Sequence, residues 1–117
     1  MKSNVREPRS WEIWSANVRF EEEPDKVKER PVLVFPDGTV YVAHPITSHV
    51  VRKNDPMDYP ILKWQEAGLD HPSTLRLGKR IALKRADLHR CCGALAIEDV
   101  RLVQRALKQQ VQRNRVK

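Results

Sequence analysis

The stretch that decides the fold is ERPVLVFPDGTVYVAHPITSH, residues 29–49. Both of its flanks are rich in β-branched and aromatic residues, which favour strands. Between them, Pro-Asp-Gly at 36–38 is a tight-turn sequence: proline fixes its φ angle, aspartate can bond its own backbone, and glycine takes a positive φ without a Cβ clash. The sequence therefore predicts a β-hairpin. Arg30 and Thr47 lie at its outer ends, and a hairpin that folds back on itself brings both to one edge of a sheet.

Upstream of the hairpin, residues 11–20 partly alternate apolar with polar side chains, which predicts a further strand. Ile13 breaks the alternation, so a bulge or a strand with two apolar faces is expected there. Residues 21–29 are charged and predict a long loop, and loops of that length are often functional. Residues 1–10 are polar and are expected to be flexible.

Downstream of the hairpin, residues 50–59 are polar and rich in turn formers, which predicts a second loop. One or two helical turns are expected next, because Pro60 suits the first position of a helix and Gly68 suits the residue just past its end. A turn or a single helical turn is expected at 87–90.

A C-terminal helix is expected from near Ala96, where apolar residues begin to recur at spacings of three and four. Its apolar face comprises Val100, Val103, Leu107 and Val111. Short strands, a small helical insert and this helix predict a mainly β (α+β) fold, namely an SH3-like small barrel. We expect a single domain at residues 11–112 and a frayed basic tail at 113–117.

The positive charge of the chain belongs to its second half. The net charge is +7 over 117 residues. Residues 1–59 hold 9 Lys/Arg and 10 Asp/Glu, a net charge of −1, whereas residues 60–117 hold 13 and 5, a net charge of +8. This asymmetry favours a polyanionic partner, most simply nucleic acid. The alternative is a solvated helix face followed by a loose tail.

Several classes of protein are excluded by what the sequence lacks. It has no stretch of membrane-spanning length and no apolar segment typical of a secretory signal near its first residue, so we expect no membrane association. Its two cysteines, Cys91 and Cys92, are adjacent, a spacing that strains a disulfide. A reduced, cytoplasmic location fits this cysteine usage best.

The strong catalytic and metal-binding motifs are also missing. There is no phosphate-binding glycine loop, no zinc-protease helix and no hydrolase nucleophile elbow. The four histidines lack the spacing of metal ligands, and each is expected to be exposed or hydrogen-bonded: His44, His49, His71 and His89. We therefore expect neither a metal nor a cofactor. His49 is the one to watch, since it directly follows two hydroxyl residues.

Arg30 precedes a proline, which pushes its backbone into an extended conformation at the margin of the sheet. A guanidinium there can clamp a phosphate through two parallel hydrogen bonds and stabilise charge that develops on it. The alternative is an edge arginine paired with Glu29 or Asp25. Thr47 and Ser48 supply hydroxyls for a phosphate or a ribose, or alternatively for a turn or a helix cap.

Arg76 is flanked by two leucines in a predicted strand at 71–77. Leu75 and Leu77 share one face, so Arg76 points to the other. It is either a solvent-exposed charge or part of a shallow anion-binding groove. Another short apolar strand is predicted at 81–83.

Several segments, in this order, resemble the MazF/PemK family of toxin endoribonucleases from bacterial toxin–antitoxin pairs, and its PemK-like branch in particular. They are Ile13-Trp14, Arg30-Pro31-Val32-Leu33-Val34, Pro45-Ile46-Thr47-Ser48, Pro72-Ser73 with Leu75-Arg76-Leu77, the segment at 58–69 and the closing stretch at 93–107. The resemblance spans about residues 11–110.

This resemblance implies an SH3-like barrel with a C-terminal helix, a homodimer, and metal-independent, sequence-selective cleavage of single-stranded RNA by attack of a ribose 2′-OH on phosphorus. The family's arginine before proline corresponds to Arg30. Its threonine after a proline–hydrophobic pair corresponds to Thr47, and the arginine that one branch uses on a later strand corresponds to Arg76. These three are the expected catalytic residues. The expected partner is a cognate acidic antitoxin whose segment covers the basic groove.

Seven further residues near these motifs and in the charged loop are predicted to contact RNA: Glu12, Trp14, Lys26, Lys28, Ser48, His49 and Ser73. Two positions depart from the family pattern. Trp11 stands where the family has glycine, and Gly78 stands where an acidic residue often follows two positions after the arginine. The second departure leaves the base unidentified, and the alternative function is a catalytically weak or inactive barrel that binds RNA or an antitoxin.

Overall fold

The computed structural model describes residues 7–19, 27–48 and 57–116, with side chains up to residue 109. Within these ranges the chain forms a seven-stranded antiparallel sheet and a C-terminal helix. The elements are β1 (Glu12–Arg19), β2 (Val27–Asp37), β3 (Val40–Thr47), β4 (Asp58–Pro60), β5 (Thr74–Arg76), β6 (Ile81–Leu83), β7 (Leu88–Ala94) and α1 (Ile97–Val116). The predicted mainly β fold with a C-terminal helix is confirmed.

The central hairpin formed by β2 and β3 is as predicted. Its ladder runs from the pair Val32–Pro45 to the pair Asp37–Val40. Gly38 in the turn has a φ of 65°, a conformation that glycine adopts without a Cβ clash. On its other side, β3 pairs with β6 near the turn and with β5 near its end. β3 therefore joins the second half of the chain to the hairpin.

Strand β1 lies between β2 and β7 and is irregular where the sequence predicted a bulge. Its register against β7 shifts between Ile13 and Trp14 and again between Ser15 and Ala16. Four consecutive residues, 13–16, are buried, because both faces of β1 are covered: Ile13 enters one apolar cluster, and Trp14 and Ala16 enter the other. The strand order is β4-β5-β3-β2-β1-β7, with β6 attached to β3.

Two apolar clusters cover the two faces of the sheet. Alternation along β2 sends Leu33 into one cluster and Val32 and Val34 into the other. The first cluster also contains Val100 and Val103 of α1, so the predicted helix face is the one that packs on the sheet. Burying one such side chain completely is worth about 1.5–3 kcal/mol.

Asp99 in the first turn of α1 connects the helix to the segment after β4. Its side chain is completely buried. It accepts hydrogen bonds from the Tyr59 hydroxyl and from the backbone N–H groups of Leu62 and Lys63, the latter two at 2.9 Å. Burial and the bond to Asp99 raise the pKa of Tyr59, so its hydroxyl remains a donor. Three donors satisfy the enclosed carboxylate, which would otherwise destabilise the fold.

The predicted helical insert is a run of hydrogen-bonded turns over residues 62–68. Leu69 N–H donates to the Trp64 carbonyl and Gly68 N–H to the Gln65 carbonyl, the bond pattern that closes a helix C-terminus. Gly68 has a φ of 91°, so its predicted place just past the end is correct. Pro60, however, ends strand β4 and begins no helix. Pairing of β4 with β5 at an edge of the sheet overrides the helix-start signal.

Three further differences concern the ends of elements. The single helical turn predicted at 87–90 lies earlier, as a 3₁₀ turn at Arg85–Asp87, and Leu88–Ala94 form strand β7 because they pair with the edge of β1. Pro8 is buried and the Tyr41 hydroxyl donates to Glu7 at 2.6 Å, so residues 7–10 are held against the sheet, contrary to the prediction; residues 1–6 lie outside the described residues. The helix continues to Val116, past the predicted fraying point, since no glycine or proline ends it there.

Candidate functional site

Arg30 and Thr47 lie just beyond the paired part of the β2–β3 hairpin. The β2–β3 ladder ends at Val32 and Pro45. Beyond it, Arg30 pairs with Ala16 of β1 and Thr47 pairs with Thr74 of β5. Residues two apart on a strand point to the same face, so both side chains lie on the face that carries Val32. Arg30 is exposed and Thr47 is half-buried. Strand alternation thus gives the two side chains the same face of neighbouring strands, and their meeting at one phosphate stays a prediction.

Arg76 lies on the same face, one strand further along the sheet. Thr47 pairs with Thr74 of β5, and Arg76 is two residues beyond Thr74. Leu75 and Leu77 both enter the cluster on the opposite side, as the sequence predicted. We call the surface formed by Arg30, Thr47, Thr74 and Arg76 the arginine face. Three adjacent strands, β2, β3 and β5, build it.

An acidic side chain meets Arg76 from the neighbouring strand. Asp58 is the register partner of Arg76, and its Oδ1 lies 3.9 Å from Arg76 Nε. The Asp58 side chain is 2% exposed and that of Arg76 is 29% exposed. Gly78, by contrast, is exposed in the turn after β5 and supplies no acid. Sequence reasoning missed Asp58 because only the β4–β5 pairing brings it to Arg76.

Glu29 turns away from the arginine face. Its Oε2 accepts a hydrogen bond from the Ser15 hydroxyl on β1. As the neighbour of Arg30 in an extended strand, it points to the opposite face. This bond gives Glu29 a partner on β1, whereas Asp25, the other acid of the predicted alternative, lies outside the described residues.

Two of the predicted RNA contacts border the arginine face. Lys28 is exposed and lies two residues before Arg30, so it shares that face. Ser48 is exposed immediately after Thr47. Lys26 and His49 fall outside the described residues. Lys28 adds a cation beside Arg30, which strengthens the attraction of this edge for a polyanion.

The predicted contact of Trp14 with RNA is wrong. Its side chain is completely buried in the cluster with Val32 and Val34. The indole Nε1 donates to Glu12 Oε1 at 3.0 Å, and the Arg85 guanidinium carbon lies 5.1 Å from the ring centroid. An enclosed ring cannot stack on an RNA base, so Trp14 is removed from the predicted contacts.

Glu12 and Ser73 have structural hydrogen bonds at some distance from the predicted chemistry. Glu12 Oε1 also accepts from Arg9 N–H at 2.8 Å. It is four residues along β1 from Ala16, the partner of Arg30, and hence about 13 Å away along the strand. The Ser73 hydroxyl donates to the His71 carbonyl at 2.7 Å. The structure does not bring Glu12 to the arginine face, and Ser73 stabilises the turn that leads into β5.

His44 supports the segment behind Arg76. It is buried on β3, and its Nδ1 lies 2.9 Å from the Lys79 carbonyl oxygen, to which it donates. Burial lowers the pKa of His44, the Arg80 charge lowers it further, and backbone hydrogen bonds act in the other direction. The sequence predicted an exposed or a hydrogen-bonded histidine here, and His44 is hydrogen-bonded. It holds the turn after β5 against β3.

The arginine face offers two guanidinium groups and hydroxyls within one surface. Guanidinium groups bind phosphate through paired hydrogen bonds and stabilise the charge of a pentacoordinate phosphorane. Within the described residues, no group of three His, Cys, Asp or Glu side chains is placed to hold a metal ion. No helix in the described part of the chain is both long and apolar enough to span a membrane.

Comparison with known proteins agrees with this architecture. A family model described as PemK-like, MazF-like toxin of type II toxin-antitoxin system matches residues 9–111. Among solved structures, the Mycobacterium tuberculosis toxin MazF-mt6 is similar, with 23% sequence identity, a TM-score of 0.65, and coverage of 86% of this chain and 96% of that one. At that identity the likeness demonstrates a shared fold. No curated protein matches the chain.

Proposed function

The chain belongs to the PemK-like, MazF-like family of toxins of type II toxin–antitoxin systems, and on this premise we propose that it is a metal-independent endoribonuclease that cleaves single-stranded RNA at selected sequences. It is the toxin of its pair, and its substrate is messenger RNA in the cytoplasm. The observation that carries the proposal is the shared face of Arg30, Thr47 and Arg76 on three adjacent strands.

The reaction assigned to this face is an internal transfer of the phosphodiester. The ribose 2′-oxygen forms a bond to phosphorus, and the bond from phosphorus to the 5′-oxygen breaks. The 2′-OH loses a proton and the leaving oxygen gains one, so the products are a cyclic phosphate and a 5′-hydroxyl. Arg30 stabilises the phosphorane, Thr47 positions the phosphate, and Arg76 adds a second cation. Guanidinium and hydroxyl groups can accelerate the reaction by positioning the phosphate and by stabilising the charge that develops on it.

Single-stranded RNA suits this surface better than a duplex. An A-form duplex hides its base edges in a deep, narrow groove, whereas a single strand exposes them. The RNA would run along the edge formed by the arginine face and Lys28.

An acidic antitoxin would bind the same edge. A segment rich in aspartate and glutamate is attracted to the exposed cations of β2 and excludes RNA by occupying their positions. We further propose that the toxin acts as a homodimer, as the family resemblance implies. Size-exclusion chromatography with light scattering would measure both the dimer and its complex with the antitoxin.

Cleavage of a long RNA in EDTA tests the activity directly. Wild-type protein should produce discrete fragments, and Arg30→Ala should slow cleavage by about 100-fold or more, the cost of losing one oxyanion-stabilising group. Arg105→Ala is the matched control, since Arg105 is exposed on α1 and the charge change is the same. Intact RNA under all conditions, or equal cleavage by Arg30→Ala and wild type, would contradict the proposal.

A second function, RNA or antitoxin binding without cleavage, is favoured by one observation. Gly78 supplies no carboxylate beyond β5, and the carboxylate that does meet Arg76 is enclosed. A general base must reach the proton that it abstracts. RNA that is retained on a filter by the wild-type protein but never cleaved would identify this function.

A further inference from the structure

Asp58 is an acidic residue whose burial calls for an explanation. It opens the three-residue strand β4, and its side chain is 2% exposed. Removing a carboxylate from water is costly unless a cation and hydrogen bonds compensate it. The cation is Arg76, its register partner on β5. The pairing therefore links the enclosed charge to a side chain of the arginine face.

The two partners differ in what they can reach. Arg76 keeps 29% of its side chain exposed, whereas Asp58 is enclosed. A phosphate on the arginine face can thus meet the guanidinium but not the carboxylate. Asp58 Oδ1 lies 3.9 Å from Arg76 Nε, which is an ion-pair distance and longer than a hydrogen bond. When one anion lies on the Nε side of a guanidinium, the two terminal amino groups can still donate hydrogen bonds to a second anion.

The backbone of Arg76 is held independently. Its two neighbours, Leu75 and Leu77, are buried on the opposite face, and its carbonyl accepts from Lys79 N–H at 3.2 Å. Strand register and packing thus fix the Cα position of Arg76. Asp58 influences the position of its guanidinium group. An arginine has several rotatable bonds, so a fixed partner reduces the conformational entropy lost on binding.

We propose that Asp58 is a positioning residue that aims the Arg76 guanidinium at RNA phosphate bound on the arginine face. The proposal rests on the proposed function for its ligand, single-stranded RNA. It assigns Asp58 no contact with the substrate and no proton transfer. A carboxylate from β4, which no sequence motif marked as a site residue, becomes part of the site through Arg76.

The direction in which Asp58→Asn changes the affinity for RNA tests this proposal. An acidic bystander near a polyanion repels it, so Asp58→Asn would then tighten RNA binding. A positioning role predicts the opposite: weaker binding, and a salt dependence whose logarithmic slope falls by about 0.7, the share of one phosphate contact on a single strand. The probe is a mixed-sequence 2′-O-methyl oligonucleotide, which cannot be cleaved, titrated at several salt concentrations.

Three variants sharpen the comparison. Arg76→Ala should lower the slope by the same amount, and the double variant should lower it no further than either single one. Asp58→Glu retains the charge and should recover part of the affinity. Asp37→Asn is the matched control, because Asp37 is exposed in the hairpin turn and asparagine suits a turn equally well. Tighter binding or an unchanged slope for Asp58→Asn would overturn the proposal.

Cleavage kinetics separate this proposal from the proposed function. With an active wild type, Asp58→Asn should lower kcat/KM by about 10- to 100-fold, as a misplaced cation would. A wild type that binds but does not cleave contradicts the nuclease and leaves the salt slopes to decide the role of Asp58. A wild type that does not bind overturns both.

If Asp58→Asn fails to fold, a substitution at Arg76 provides a second test. Arg76→Lys keeps the charge but loses the planar fork with its Nε group. It should preserve the salt slope while reducing kcat about tenfold, because orientation and not charge is lost. An unchanged kcat for Arg76→Lys would count against positioning.

Discussion

Gly68 and Gly93 pack backbone against backbone where the turn segment meets β7. A Cβ on Gly68 would lie 2.1 Å from the Cys92 carbonyl oxygen, and one on Gly93 would lie 2.3 Å from the Ala67 carbonyl oxygen. Such separations are far inside van der Waals contact, so neither position accepts a side chain without movement of the other chain segment. This contact holds the end of the turn segment against β7.

Gly93→Ala should therefore destabilise the protein by about 2–3 kcal/mol, the usual cost of an overpacked site. Gly38→Ala is the control: its φ of 65° strains an alanine, but nothing lies within 4 Å of the new Cβ. It should cost about 1–2 kcal/mol. Urea unfolding measures both, and a smaller loss for Gly93→Ala than for Gly38→Ala would contradict the close packing.

Asp99→Ala should cost about 3 kcal/mol or more, because three donors lose their shared acceptor in a buried setting. Its neighbour Glu98 is exposed, so Glu98→Ala should change the free energy of unfolding by no more than about 0.5 kcal/mol. Thermal and urea unfolding followed by tryptophan fluorescence suit this pair. Equal effects would show that Asp99 is not the link between α1 and the segment after β4.

Stability should fall on acidification through His44. Burial lowers its folded-state pKa below the ordinary 6.5, so the unfolded chain takes up a proton first as the pH drops. The stability that neutral His44 contributes is complete above its unfolded-state pKa. Below that pKa it is lost at up to about 1.4 kcal/mol per pH unit, until the folded-state pKa is reached.

His44→Gln should remove this component of the pH dependence, while His89→Gln, at an exposed position, should retain it. The measurement is the free energy of unfolding at about pH 7 and about pH 5 for each protein. Parallel pH profiles for wild type and His44→Gln would refute the assignment.

Trp11 has a φ of 73°, the left-handed region that favours glycine, while its ring meets Phe35 edge-on with centroids 4.8 Å apart. Trp11→Ala loses the ring contact and keeps the strained backbone, whereas Trp11→Gly loses the ring but relieves the strain. Glycine should thus be more stable than alanine here by about 1 kcal/mol. The reverse order in urea unfolding would contradict a left-handed backbone at this position.

That backbone also explains the departure from the family pattern noted in the sequence. The resemblance expects glycine at position 11, and a positive φ is the conformation for which glycine is suited. Here tryptophan occupies the same conformation, supported by its contact with Phe35.

The sequence by itself determined the features that depend on neighbours along the chain. Alternation and a turn sequence indicated the hairpin, the opposed faces of Leu75 and Arg76, and the bulge at Ile13. The spacing of apolar residues indicated the helix face of Val100 and Val103. Each of these is a local periodicity of strand or helix, so it can be recognised without knowing what packs against it.

Only the tertiary structure decided which distant segments share a surface. Asp58 meets Arg76, and Trp14 is enclosed, through pairings between strands far apart in sequence. Strand β7 exists because β1 offers it an edge. Hydrogen bonds between strands join backbone groups whatever their side chains, so register and burial follow from the fold of the whole chain and not from any one stretch of it.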